Sequence, residues 1–218
     1  MNPPNKSIPC YEEIKSFLDS GFIKLFKKPL VTELNKYTPF NEQEKKDQEL
    51  FLKYIDMFPN DINKLLVREN TLAHFSSSAF VVNKTKDKML VVYHKILDGL
   101  IYPGGHADGE EDLLSVAIRE VEEETGQKAT PLYNSFFSIQ ALPIAGHIKN
   151  GKYVSSHIHF DVIFLLEADD TTPLTYRKDE SKGVKWITFS EAILNKDIIK
   201  FIIPIHSKLI CKFLNLNV

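Results

Sequence analysis

The sequence has little of what marks exported or membrane-spanning proteins. Its 218 residues include two cysteines, Cys10 and Cys211, so at most one disulfide can form and a disulfide framework is excluded. The first residues lack the apolar core of a signal peptide. The most apolar stretch near the C-terminus, residues 198–205, is short and is interrupted by Lys200. We therefore expect a cytoplasmic protein with no membrane partner.

An excess of positive charge is also missing. Lysine and arginine total 27 and aspartate and glutamate total 29, which gives a net charge of −2. Such a balance attracts neither nucleic acid nor anionic lipid, so any phosphate binding must be local. The 43% hydrophobic and 26% charged residues are typical of a globular protein. The composition therefore disfavours a nucleic-acid partner.

The N-terminal part of the chain has a helical pattern. Apolar residues at helical spacing predict helices over residues 11–18 and 41–58, and a short apolar segment follows at residues 62–66. We expect residues 1–70 to form a small helical extension. The sequence leaves three roles open for these helices: covering a sheet, forming a homodimer interface, or closing over a substrate cleft.

From about residue 71 the pattern changes, and β-rich runs appear among the predicted helices. Two β-rich runs, residues 79–82 and 89–93, are joined by a polar turn and predict a hairpin. The remaining predicted elements are strands near residues 131–142, 156–167 and 184–187 and helices at residues 110–125, 190–195 and 205–215. Regular βαβ alternation is lacking, so we expect a layered α/β or α+β domain with a mixed sheet over residues 71–218.

Three carboxylates stand out on the helix predicted at residues 110–125. Glu120, Glu123 and Glu124 are spaced i, i+3 and i+4, so they project from one helix face. Like charges so placed destabilise a helix unless a cation lies among them. Clustered carboxylate oxygens suit a hard divalent cation such as Mg²⁺ or Mn²⁺. A solvated acidic helix is the simpler alternative on the carboxylates alone.

The spacing of the whole segment resembles the Nudix box. That motif runs Gly, five residues, Glu, seven residues, Arg-Glu, an aliphatic residue, any residue, Glu-Glu, any residue, Gly and an aliphatic residue. The positions that match are Gly105, Glu111, Arg119, Glu120, Val121, Glu123, Glu124 and Gly126. The single departure is Gln127 in place of the last aliphatic residue, a position that packs rather than reacts.

The resemblance implies a Nudix-type α/β/α sandwich and a metal-dependent hydrolase of nucleoside diphosphates linked to another group. It implies that Glu120, Glu123 and Glu124 bind the metal, joined by the Gly105 backbone. It also implies that Arg119 pairs with carboxylates of the box, including Glu111, and orients the cluster. We therefore assign catalytic roles to Glu120, Glu123 and Arg119.

The catalytic base is less specified by the sequence. In the family it comes either from the box or from a later loop, and Asp179 and Glu180 precede a strand that carries Trp186. Such a loop often faces the metals in relatives, so we assign Glu180 to the catalytic group. An exposed acidic loop is the alternative interpretation.

A second polar group is predicted on the strand at residues 156–167. His157, His159 and Asp161 alternate and so share one strand face. Together with His147, they could bind substrate or hold an additional metal. A solvent-exposed face is the alternative. The histidine pattern also resembles an uncharacterised Nudix subgroup, whereas Pro143 lies at an offset from the box that resembles ADP-ribose pyrophosphatases. The substrate that the resemblance implies is a small-molecule nucleotide, with an ADP-ribose-like nucleotide sugar favoured and a nucleoside triphosphate as the alternative.

Two other functions remain open at this point. One is a catalytically silent Nudix-fold sensor, although sensors tend to lose carboxylates of the box and this box is intact. The other is a diphosphate isomerase related by fold, whose metal site uses histidines. The histidines of this chain are compatible with that function, whereas its complete box argues against it. Metal-dependent phosphate release would separate a hydrolase from both.

Overall fold

The computed structural model describes residues 29–59, 61–149 and 151–216. The chain divides into two compact units, Met1–Lys36 and Tyr37–Val218. The described part of the first unit is helix α1, Pro29–Lys36. The helix predicted at residues 11–18 lies outside the described residues. The predicted division into an extension and a catalytic domain near residue 70 stays a prediction.

The second unit combines helices with a mixed sheet, as predicted. Its helices are α2 (Glu42–Asp56), a 3₁₀ helix (Ile62–Leu65), α3 (Leu113–Thr125), α4 (Glu191–Leu194) and α5 (Ile203–Leu214). Its strands are β1 (Ala73–Asn83), β2 (Lys88–His94), β3 (Gly99–Ile101), β4 (Gly104–His106), β5 (Thr130–Pro131), β6 (Ser138–Ile144), β7 (His147–Lys149), β8 (Lys152–Val154), β9 (His157–Ala168) and β10 (Ser181–Thr188). None of the helices in the described ranges is both long and apolar enough to cross a membrane.

The sheet is organised around the parallel pairing of β1 with β9. The order is β10-β2-β1-β9-β5, with β3 beside β2, β4 beside β1 and β6 beside β9. Strands β1 and β9 pair in parallel from Ala73–Ile158 to Asn83–Ala168, and β4 and β6 pair with them antiparallel. The predicted hairpin is confirmed by the antiparallel pairing of β1 and β2. Strands β7 and β8 form a separate hairpin.

Helices cover both faces of the sheet. The Ser77 hydroxyl of β1 donates to the Leu113 carbonyl of α3. On the same strand the Phe80 ring packs against Phe213 of α5, with ring centroids 5.9 Å apart. Ser77 and Phe80 are an odd number of residues apart and therefore lie on opposite faces. Helices α3 and α5 thus flank the sheet, which gives the layered α/β/α arrangement.

Helix α2 packs on the sheet, which is one of the three arrangements that the sequence left open for the N-terminal helices. It begins after Asn41, whose side chain accepts a hydrogen bond from the Glu44 backbone N–H at 2.9 Å. Its buried Phe51 ring lies 5.6 Å from Phe75 of β1 and 4.5 Å from Phe160 of β9. This helix therefore covers part of the sheet.

Glu44 of α2 is a buried charge that joins this helix to the rest of the unit. Its carboxylate accepts hydrogen bonds from the Tyr37 hydroxyl, the Phe40 backbone N–H and the Ser138 hydroxyl. Lys208 and Lys212 of α5 lie 3.3 Å and 3.2 Å away. Burial raises the pKa of Glu44, but Lys208 and the hydrogen bonds outweigh it, so the pKa is lowered overall and the group is ionised.

We expect Glu44→Ala to lower the free energy of unfolding by about 3–5 kcal/mol, because Lys208 would stay buried without its carboxylate. Glu49, also on α2, is an exposed glutamate paired with Lys46. Glu49→Ala should therefore change stability little. Urea denaturation of both variants tests the prediction. Equal losses of stability would show that the buried network contributes no more than a surface ion pair.

Candidate active site

Helix α3 carries the carboxylates, and its ends are set by local signals. Gly126 ends the helix in the left-handed conformation, with φ of 71°. The predicted start at Glu110 is wrong, because the helix begins at Leu113. Asp112 caps it by accepting a hydrogen bond from the Ser115 backbone N–H at 3.1 Å. Glu110 and Glu111 therefore precede the helix, and no acidic residue lies in its first turn.

Glu120 and Glu124 lie against the glycine turn of β4. The Glu124 carboxylate accepts a hydrogen bond from the Gly104 backbone N–H at 3.0 Å. A Cβ atom built on Gly105 would lie 2.5 Å and 2.8 Å from the two Glu120 carboxylate oxygens. Only glycine leaves room for this close approach. The backbone of Gly105 and the side chains of Glu120 and Glu124 thus meet at one place.

The electrostatics of this place favour a bound cation. Burial, followed by the Glu120 and Glu180 charges, raises the pKa of Glu124 to about 8, despite the hydrogen bond from Gly104. Burial and the charge of Glu123 also raise the pKa of Glu120. A divalent cation would compensate both the loss of hydration and the repulsion that raise these pKa values. The donor set is all oxygen, and it therefore fits Mg²⁺ or Mn²⁺.

Arg119 has a different partner from the one implied by the resemblance. Its guanidinium lies 2.5 Å from the Glu110 carboxylate and 3.9 Å from Glu123. The expected pairing of Arg119 with Glu111 is not found. Both Glu110 and Glu111 lie in the turn before Asp112, and the carboxylate that reaches Arg119 is that of Glu110. Arg119 nevertheless contacts Glu123 and lines the same cavity as the three box glutamates.

The loop before β10 approaches the carboxylates through Arg177, which sequence reasoning missed. Its guanidinium lies 3.4 Å from Glu123, 3.0 Å from Asp179 and 3.4 Å from Glu180. Glu180 is close enough to raise the pKa values of both Glu120 and Glu124. The structure thus places Glu180 beside the box glutamates, whereas Asp179 is more exposed.

All ten residues to which the sequence assigned a catalytic, metal-binding or substrate-binding role line one cavity of about 840 Å³. From the box and its flanks these are Gly105, Arg119, Glu120, Glu123, Glu124 and Glu180, and from β7 and β9 they are His147, His157, His159 and Asp161. The cavity thus brings two groups together that are separate in sequence. Further positive charge on its wall comes from Arg68, Lys149 and Arg177.

Asp161 is held by the protein itself. One carboxylate oxygen accepts hydrogen bonds from the Ser76 and Ser78 hydroxyls, each at 2.8 Å. The other accepts from the Tyr102 hydroxyl and the Gln140 side chain, each at 3.2 Å. Its donors come from three neighbouring segments of the sheet. Asp161 therefore links these segments where they line the cavity. Its role in substrate binding stays a prediction.

The histidines of the cavity form a larger cluster than the sequence indicated. His157 and His159 share one face of β9, with their Nε2 atoms 3.1 Å apart. His74 of β1 and His106 of β4 join them, with ring centroids 4.9 Å and 4.7 Å from that of His159. The parallel register pairs His74 with His159, and sequence spacing alone does not contain that information.

Gln127, the single departure from the box pattern, is buried. Its side-chain oxygen accepts a hydrogen bond from the Thr172 hydroxyl at 2.6 Å, and its side-chain nitrogen donates to the Pro173 carbonyl at 3.3 Å. The position packs, as expected. The polar side chain is tolerated because its groups are hydrogen-bonded.

Comparisons with known proteins identify the family of this chain. The family model described as NUDIX domain matches residues 73–209. A protein named "Probable DHNTP pyrophosphohydrolase" from Lactococcus lactis subsp. cremoris is 30% identical over 125 residues, which cover 57% of this chain and 72% of that protein. The chain belongs to the NUDIX family. It is a pyrophosphohydrolase, a class that acts on small-molecule nucleotides and generally uses divalent metal ions.

Solved structures with a similar fold include other hydrolases of this family. A NUDIX-family hydrolase from Clostridium perfringens is 24% identical, with a TM-score of 0.47, over 64% of this chain and 97% of that one. An Ap4A hydrolase from C. elegans is 20% identical, with a TM-score of 0.43, over 64% of this chain and 94% of that one.

Proposed function

We propose that the chain uses Mg²⁺ or Mn²⁺ to hydrolyse a phosphoanhydride bond in a nucleoside diphosphate linked to another group, with ADP-ribose-like nucleotide sugars favoured. The observation that carries this proposal is the close approach of Gly105 to Glu120 on the wall of a cavity that also contains positive side chains. Such a site holds both the cation and the diphosphate that it neutralises. A cytoplasmic location and a homodimer stay predictions.

The box residues would hold the cation. Its ligands are the carboxylates of Glu120, Glu123 and Glu124, together with the backbone of Gly105. The chemistry supplied by a divalent cation at such a site is neutralisation of phosphate charge and acidification of a water molecule. The buried Glu124 keeps a fixed position through its hydrogen bond from Gly104.

The remaining charged residues orient the substrate and move the proton. Arg119 holds Glu123 and Glu110 in place through its guanidinium. Arg68 and Lys149 lie on the cavity wall, where they can contact the phosphate oxygens. Glu180 lies beside the box glutamates and accepts the proton from the attacking water, which makes it the general base.

The rest of the cavity would take the nucleoside and the group linked to it. A volume of about 840 Å³ is in the upper part of the range found for ligand pockets, which suits a two-part ligand. Leu97, Ile101 and Leu142 supply apolar wall, and His147, His157 and His159 supply polar groups. Pro143, which suggested ADP-ribose, is exposed and is not among the residues that line the cavity.

DHNTP is a second candidate substrate. The observation that favours it is the 30% identity to the Lactococcus protein whose name includes that compound. The aligned stretch covers 72% of that protein. The two candidates share the metal-dependent cleavage of a phosphoanhydride and differ in the group that the cavity must accommodate.

A substrate panel read by phosphorus NMR tests both candidates. ADP-ribose, other nucleotide sugars, dinucleoside polyphosphates, DHNTP and common nucleoside triphosphates are incubated with Mg²⁺ and, separately, with Mn²⁺. Running the reactions in ¹⁸O-labelled water identifies the phosphorus atom that is attacked. We expect a nucleotide sugar to give two phosphorylated products, with ¹⁸O in one of them.

The other outcomes are equally informative. Turnover of DHNTP with no turnover of nucleotide sugars would replace the favoured substrate by the second candidate. Release of pyrophosphate from ordinary triphosphates alone would replace both candidates by a nucleoside triphosphate, the alternative substrate that the sequence left open. No turnover of any compound, with ligand binding still detectable, would favour the sensor over the hydrolase.

A further inference from the structure

Three histidines of the cavity converge on one point. One ring nitrogen from each of His74, His157 and His159 lies within 4.8 Å of the other two. Two features of the fold bring them together: the parallel pairing of His74 with His159, and the alternation of β9, which puts His157 and His159 on one face. The backbone of two adjacent central strands thus positions all three rings.

Hydrogen bonds fix the tautomers of two of these rings. The Nδ1 atom of His74 lies 2.9 Å from the Asn70 carbonyl, and that of His157 lies 2.8 Å from the Ser155 carbonyl. Because a carbonyl only accepts, each Nδ1 carries the hydrogen and each Nε2 carries a lone pair. Histidines that bind metals almost always donate their other ring N–H in this way.

The free nitrogen of His74 lacks a protein partner among the described residues, whereas that of His157 is within hydrogen-bond distance of His159. The Nε2 atom of His74 is buried and has no hydrogen-bond partner in the part of the chain that the structure describes. The His157 Nε2 lone pair points to His159 Nε2, 3.1 Å away. In a tetrahedral zinc site with bonds of about 2.0–2.1 Å, the ligand nitrogens lie about 3.3 Å apart. His157 and His159 already have this spacing.

The surroundings of His74 and His159 favour the neutral rings that metal binding requires. Burial, followed by the other histidines, lowers the pKa of His159 to about 2. Burial also lowers the pKa of His74, and His157 and Arg68 lower it further. Imidazole nitrogens suit zinc and similar transition metals, whereas Mg²⁺ prefers oxygen. The donor chemistry therefore differs from that of the box carboxylates.

We propose that His74, His157 and His159 form a second metal site, selective for a transition metal such as Zn²⁺ and separate from the oxygen-donor site of the box. Three imidazole ligands would leave a fourth position on a tetrahedral metal for another donor. His106 is a neighbouring histidine, with its ring centroid 5.1 Å from that of His74. An oxygen of the substrate would take the fourth position. Only this last step rests on the proposed function.

Metal titration in excess Mg²⁺ tests the site directly. Untagged full-length protein is treated with a chelator, saturated with Mg²⁺ to fill the box site, and titrated with Zn²⁺ in a calorimeter and with Co²⁺ in a visible spectrometer. We expect one ion per chain that Mg²⁺ does not displace. Both His157→Gln and His159→Gln should weaken binding at least about tenfold, because each removes a ligand.

Two further variants separate this site from the box and from other histidines. Glu120→Gln should leave the binding of Zn²⁺ unchanged. His147→Gln should do the same, since its ring centroid lies 6.5 Å from that of His157 and it is not among the three converging residues. Melting temperatures of all variants show that they are folded.

An anomalous difference map at the zinc edge gives the position independently of affinity. We expect a peak about 2.0–2.1 Å from the Nε2 atoms of the three histidines. Binding that survives both His→Gln substitutions, or that is lost in Glu120→Gln, would overturn the proposal. A peak among the carboxylates alone would do so as well. These readouts need no substrate and are unaffected if the proposed reaction is wrong.

Discussion

Replacing Glu120 by glutamine is expected to lower kcat about a thousandfold while leaving the metal-free protein at least as stable as the wild type. The loss of activity follows from removing a charged ligand, since a catalytic metal is worth several kcal/mol and about 4 kcal/mol corresponds to a factor of about a thousand. The gain in stability follows from the electrostatics. Burial and Glu123 raise the pKa of Glu120, so the ionised carboxylate is unfavourable where it lies.

The same helix offers a matched control. Glu122 is exposed and is not among the residues of the cavity wall, so Glu122→Gln removes the same charge without touching the site. Rates are measured on the substrate identified by the panel, and melting temperatures are measured in a chelator. An active Glu120→Gln enzyme with unchanged metal dependence would remove Glu120 from the metal site. A large loss of stability would show that its effect on rate is indirect.

Local sequence signals predicted the helix of the box but not its first residue. The spacing of Glu120, Glu123 and Glu124 and the stop at Gly126 are properties of a single helix. The start was misplaced because acidic residues near Glu110 are as suitable for a first turn as for a turn before it. The capping bond from Ser115 to Asp112 decides between the two. Alternative caps of this kind are not separable by composition alone.

Non-local features of the site lay beyond the sequence for a different reason. His157 and His159 were predicted to share a face because strand alternation is local. His74 joins them only through the parallel register of β1 with β9, in which paired residues are 85 positions apart in the sequence. The hydrogen bond between Ser76 and Asp161 joins residues with the same separation. Arg177 reaches Glu123 only because the loop before β10 folds back towards α3. Such contacts depend on strand order, which no motif in this chain specifies.

Replacing Gly105 by alanine is also expected to lower activity strongly. Gly105→Ala would place a Cβ atom 2.5 Å from a Glu120 carboxylate oxygen, closer than real contacts allow, so either the carboxylate or β4 must move. A displacement of about 1 Å in a catalytic group can cost about a hundredfold in rate, and we expect kcat/KM to fall by at least this factor. The apparent affinity for Mg²⁺, measured from the metal dependence of the rate, should fall with it.

Gly183→Ala is the matched control, because a Cβ atom there meets nothing within 4 Å and the residue, in β10, is not among those that line the cavity. It should leave both the rate and the metal affinity close to wild type. Full activity in Gly105→Ala would mean that Glu120 can move without loss, and the close approach would then not be what positions the metal. Loss of activity with unchanged Mg²⁺ affinity would instead indicate that the Gly105 turn contacts the substrate. A steric clash with Glu120 would displace a metal ligand and would therefore lower the Mg²⁺ affinity as well.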